Sequence, residues 1–93
     1  MVRKEYRSHV GVILAILQSV SSHNGIGITK LMLEANLPHK RAKNYLERLV
    51  TEGYVKTEEE GGRSLYKMTK EGREFLRSLE WTKSFFENLG YPL

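Results

Sequence analysis

The chain has 93 residues, no cysteine, 15 lysines and arginines against 11 acidic residues, and a formal net charge of +4. This length supports one domain. The missing cysteines exclude disulfides and thiolate chemistry, and the modest positive charge leans weakly toward a polyanionic partner. No run of about 18 apolar residues occurs and no signal-like segment follows the charged start, so we expect a soluble intracellular protein with no membrane span.

Residues 1 to 5 are polar and basic, and Arg3, Lys4 and Arg7 are either phosphate contacts or part of a solvated terminus. From Tyr6 to about Ser21 the apolar residues Tyr6, Val10, Ile13, Leu14, Leu17 and Val20 recur at helical spacing and read as a core helix. Gly11, Ala15 and Ser19 form a strip of small side chains on another side of it. The loop Ser21 to Gly25 follows, and Ile26 to Ile28 reads as a very short first strand. Gly25 and Gly27 lack the third glycine and the preceding strand of a dinucleotide fingerprint, so no cofactor is expected. His9, His23 and His39 lie far apart, without a second ligand at metal-binding spacing, and no metal is expected.

Thr29 reads as the N-cap of a helix through Leu31, Met32, Leu33 and Ala35, which Asn36, Leu37 and Pro38 break. Proline suits the first turn of a new helix, because it has no amide to donate there. We therefore expect a second helix from Pro38 to Glu52, closed by Gly53. Its periodicity turns Ala42, Leu46 and Leu49 inward, with Tyr45 and Val50 at the margins. The opposite side shows Lys40, Lys43, Asn44 and Thr51, flanked by Arg41 and Arg48, with Glu47 its only acid. Cations and an amide are groups that bond phosphate oxygens and base edges.

Tyr54 to Thr57 reads as a strand, Glu58 to Arg63 as a turn and Ser64 to Met68 as a returning strand, with Gly61 and Gly62 supplying the positive φ of a tight hairpin. Three successive glutamates on the outgoing arm would repel a polyanion, so Arg63 is the hairpin's best phosphate contact, or else a balance for those acids. Thr69 then caps a long helix ending near Gly90 and Pro92. Along it Gly72, Phe75, Leu79, Thr82, Phe86, Leu89 and Leu93 alternate three and four apart as a heptad seam, which Trp81 and Phe85 widen. The far half cannot all hide on its own domain, so a second copy is expected to cover it; the alternative is a helix folded back on its own core.

The order YRSHVGVILAILQSV, ITKLMLEANL, NYLERLVTEGYV and SLYKMTKEGREFL, followed by an apolar helix, resembles winged-helix DNA-binding proteins. It is most similar to the small basic winged-helix regulators and DNA-binding proteins of archaea, in which a long terminal helix makes the dimer. That resemblance implies an α+β winged helix-turn-helix with three core helices and a β-hairpin wing. It also implies a DNA-binding domain at 1–69 and a dimerisation helix at 70–93 that pairs as an antiparallel coiled coil. The implied partners are double-stranded DNA and a second copy of the chain, in the cytoplasm and associated with the nucleoid.

In this reading Lys40, Lys43 and Asn44 face the groove, and His39 and Arg41 contact bases or phosphates near the helix start. Thr29, Lys30, Arg48 and Arg63 are phosphate candidates. Leu79, Trp81, Thr82, Phe85, Phe86 and Leu89 make the dimer. Asn44 suits adenine and Arg41 guanine, but spacing assigns neither. No catalytic constellation or effector pocket is marked, so an enzyme is not expected. A winged-helix protein-interaction module and a non-specific architectural DNA-binding protein remain the alternatives.

Overall fold

A computed structural model describes residues 7–92. Four helices and one hairpin follow one another as α1 (His9–Ser21), α2 (Ile28–Ala35), α3 (His39–Thr51), β1 (Val55–Glu60), β2 (Arg63–Met68) and α4 (Lys70–Asn88). The strands pair antiparallel from Val55 opposite Met68 to Glu60 opposite Arg63. The expected α+β architecture is present.

The helix starts differ from the sequence expectation. Among the described residues α1 begins at His9 rather than before it, because Ser8 is extended and its Oγ accepts the Gly11 amide at 3.0 Å. Tyr6, Arg3 and Lys4 lie outside the described residues, and so does Leu93. The short first strand reduces to one bridge, Ile26 with Tyr66, after which Ile28 already belongs to α2. Thr29 is consequently inside that helix and is not its cap. Extended Gly27 occupies the N-cap and offers no side chain to the free amides. Asn36 ends α2 in the left-handed region, at φ 56°, a conformation asparagine tolerates better than most residues.

The hairpin is longer than expected. Glu58 to Glu60 and Arg63 are strand residues, and only Gly61 and Gly62 turn, at φ 57° and 78°. Extended acids are tolerable here because lysines meet them. Glu58 pairs with Lys56 at 3.2 Å and Lys67 at 2.8 Å, and Lys67 also reaches Glu60 at 3.1 Å. Donation from Lys67 and then Lys56 holds the Glu58 carboxyl below its ordinary value.

The core is filled by Val12, Ile16, Leu17 and Val20 of α1, Leu31 of α2, Leu46 of α3, Ile26 and Val55. Val10 and Ile13, read as core-helix positions, are only half-buried, and Ile13 lines an open groove beside α3. Within the small-residue strip, Ser19 is buried and its Oγ donates to Glu34 of α2 at 2.6 Å.

The start of α4 docks by backbone contact. Thr69 Oγ1 accepts the Gly72 amide at 2.9 Å and donates to the Gly53 carbonyl at 2.6 Å. Phe75 stacks on Tyr54 with ring centroids 4.3 Å apart, and Leu76 is buried. Beyond Leu79 the helix leaves the core. Trp81 is 68% exposed and Leu89 56%.

Candidate nucleic-acid interface

Burial of Ala42, Leu46 and Leu49 fixes the rotation of α3 about its axis, and the amphipathic pattern then determines what faces outward. Lys40, Lys43, Asn44, Glu47 and Thr51 are exposed, as are Arg41 and Arg48. Pro38 caps the helix, and its carbonyl accepts the Ala42 amide at 3.0 Å. His39 and Lys40 therefore lie in the exposed first turn, where the helix dipole is positive.

Six of the nine named candidates line one of two hollows, and Lys30, His39 and Lys40 line neither. Thr29, Lys43 and Arg63 converge on a cleft of about 250 Å³ that also takes in Gly27, Ser64 and Tyr66. Arg63 lies directly over Gly27: a Cβ built on that glycine would be 2.6 Å from Arg63 Nη2. A wing cation, an α3 cation and the uncapped start of α2 thus share one small opening, an arrangement that favours an anionic oxygen. Gly27, Ser64 and Tyr66 had no signal in the sequence, because only the Ile26–Tyr66 bridge brings the wing to the start of α2.

Arg41, Asn44 and Arg48 line the other hollow, a groove of about 670 Å³ with walls from Ile13, Leu49, Tyr54 and Phe75. The Arg41 guanidinium stands 5.9 Å from the centre of the Tyr45 ring, whose hydroxyl lies 2.7 Å from His9 Nδ1. This draws Arg41 along the flank of α3 rather than straight outward. Lys30 is exposed on α2, where its charge helps to lower the Glu34 carboxyl, and it lines neither hollow. Arg7 donates from Nη2 to the Asn36 carbonyl at 2.8 Å and so secures the end of α2.

Three helices, a hairpin bridged to the chain just before the second, and a cationic third helix make a winged helix-turn-helix fold. The chain belongs to the winged helix-turn-helix family, whose model matches residues 6–86. Similar solved structures include Sso10a-2, a DNA-binding protein from Sulfolobus solfataricus, at 26% identity and TM-score 0.80 over 89% of this chain and 85% of that one. The SSV1 protein F-93 aligns at 21% identity and TM-score 0.65, covering 95% of this chain and 99% of its own.

The multiple antibiotic-resistance repressor MarR of Listeria monocytogenes 4b F2365 aligns at 17% identity and TM-score 0.69 over 84% of this chain, which spans 54% of that repressor's length. No curated protein matches the sequence. These neighbours bear out the resemblance to small archaeal winged-helix DNA-binding proteins. The family is typically non-enzymatic. Among the described residues no helix is long and apolar enough to cross a membrane.

Proposed function

We propose that the chain works as a homodimer that binds double-stranded DNA sequence-specifically and regulates transcription, inserting α3 of each subunit into successive major grooves. The observation that carries this reading is the exposed face of α3 with Lys40, Lys43 and Asn44, of which Lys43 lines the cleft holding Thr29 and Arg63. Lys40, Lys43 and Asn44 would meet the groove, while Thr29, Lys30, Arg48 and Arg63 hold phosphates on either side. His39 and Arg41 act at the start of α3. The likeness to Sso10a-2, a DNA-binding protein, supports the same partner.

Residues 1–69 serve as the reading unit and 70–93 as the dimerisation helix, whose first turns also complete the core. Trp81 and Phe85 stack at 5.5 Å, and Phe86 meets Phe85 edge-on at 5.6 Å. Exposed aromatic surface of this kind favours a second copy of the helix. Leu79, Thr82, Phe86 and Leu89 would form the seam of an antiparallel pair, placing the two reading helices about 34 Å apart or a multiple of it. The dimer would act in the cytoplasm, at the nucleoid.

A gel shift with genomic fragments and excess non-specific competitor, repeated across salt concentrations, tests the reading. Lys40→Glu with Lys43→Glu should abolish binding and leave the fold intact. Duplex affinity that survived the change would remove α3 from the interface. The carboxylates Glu58 to Glu60 on the wing favour one competing reading, a protein-interaction module, for which the wild-type chain would shift no duplex at any salt concentration.

A further inference from the structure

A second cationic site lies apart from α3. The end of α1, the loop after it, the hairpin and the first turn of α4 enclose a polar cavity of about 420 Å³, with no wall from α3. Lys56, Lys67, Lys70 and Arg73 line it. Lys56 and Lys67 are directly cross-strand, on the hairpin face opposite buried Val55 and Met68. Lys70 and Arg73 come from the first turn of α4, where the helix dipole adds positive potential.

The charge in this cavity is only half balanced. Glu58 and Glu60 pair with the two hairpin lysines. Among the described residues neither Lys70 nor Arg73 joins any ion pair or side-chain hydrogen bond. Glu58 lines the cavity and Glu60 reaches it only through Lys67, so four cations meet at most two carboxylates and a surplus of at least two positive charges remains in a concave, polar setting. Gathering like charges from separate elements is unfavourable unless an anion joins them.

We propose that this cavity binds the phosphate group of a small phosphomonoester, such as a nucleotide or a sugar phosphate. Such a group carries about −1.5 to −2 at neutral pH and three acceptor oxygens, which matches the surplus charge and the donors of Lys70 and Arg73. A backbone phosphodiester carries a single charge and arrives on a rigid duplex, which fits an open ridge such as α3 better than a hollow. The site shares no side chain with the cleft of Thr29, Lys43 and Arg63, so its occupant would not compete with DNA for the same donors.

The full chain, labelled with ¹⁵N, is titrated at constant ionic strength with inorganic phosphate, methyl phosphate and dimethyl phosphate, following the amide signals of Lys70 to Arg73. Saturable shifts are expected with the first two probes, and a response to the diester weaker by about tenfold or more. Lys70→Gln with Arg73→Gln should weaken phosphate binding by about tenfold or more while the remaining amides keep their positions. Lys40→Gln with Lys43→Gln should leave it unchanged.

Linear, non-saturating shifts would overturn the proposal, as would an equal response to the diester or undiminished affinity in the cavity variant. Should the double variant fail to fold, the two single variants decide on the same criterion. Failure here leaves the DNA reading untouched, since that rests on α3.

Discussion

A methyl group on Gly72 would lie 1.9 Å from the Tyr54 carbonyl oxygen and 3.2 Å from Met68 Cε. The oxygen belongs to the main chain at the start of β1 and cannot move aside, so Gly72→Ala should cost about 3 kcal/mol or more, read as a lower denaturation midpoint. Gly27 presents the opposite case. Its nearest neighbour is the far end of the flexible Arg63 side chain, 2.6 Å from the added Cβ, and the backbone at φ −80° suits alanine. Gly27→Ala should change stability by no more than about 1 kcal/mol. It should nonetheless weaken duplex binding severalfold in a gel shift, because Arg63 is pushed from the cleft it shares with Lys43. In the sequence Gly72 looked like one more position of the apolar seam and Gly27 like a strand residue. Neither close approach can be read from neighbours in the chain.

At the scale of elements, α1 and α2 are clamped by a polar contact. Glu34 accepts from Ser19 Oγ at 2.6 Å and lies 3.0 Å from His23 Nε2. The Ser19 hydroxyl first, and His23 after it, hold the Glu34 carboxyl below its ordinary value of 4.5. A carboxyl lowered by folding contributes stability that is complete above its unfolded value and is lost as pH falls through the folded one. Ser19→Ala should therefore raise the Glu34 titration midpoint and flatten the loss of stability on the acid side. Urea melts at a series of pH values, with NMR titration of Glu34, would show it.

The second half of α4 behaves differently, since Trp81, Phe85 and Leu89 are exposed and contribute little to the core. On the proposed dimer the unaltered chain should sediment as two copies and Phe86→Glu as a folded monomer at the same concentration, because burying such a ring is worth about 1.5 to 3 kcal/mol. Two dimers would move the contact away from Phe86, and two monomers would end the dimer proposal. The apolar spacing of α4 was legible in the sequence because it recurs three and four apart within one segment.

For the whole molecule the distribution of charge matters more than the sum of +4. The hairpin neutralises much of its own acid through Lys56 and Lys67, and its Arg63 shares a cleft with Lys43 of α3. If the proposed DNA binding holds, duplex affinity falls steeply as salt rises, and Arg48→Ala should reduce the slope of the logarithmic salt plot by about 1, the mark of one lost phosphate contact. An unchanged slope would make Arg48 a bystander. Element order and the outward face of α3 could be read from the chain because both follow from periodicity over a dozen residues. The length of the hairpin could not. Its acids looked like turn residues until their pairing with lysines on both strands was in view.

Local chemistry by itself determined the helices and the hairpin in their order, the buried and exposed sides of α3, the Thr69 cap and the apolar far end of α4, while the winged-helix architecture came from the resemblance their order carries. Each of these local features depends on side-chain spacing along one segment or on a residue's intrinsic backbone preference. Tertiary structure alone decided that Gly27 rather than Thr29 caps α2, that Arg63 lies over it beside Lys43, and that Lys70 and Arg73 meet the hairpin lysines. These are contacts between segments distant in the chain, set by how the core packs, and no local pattern encodes them.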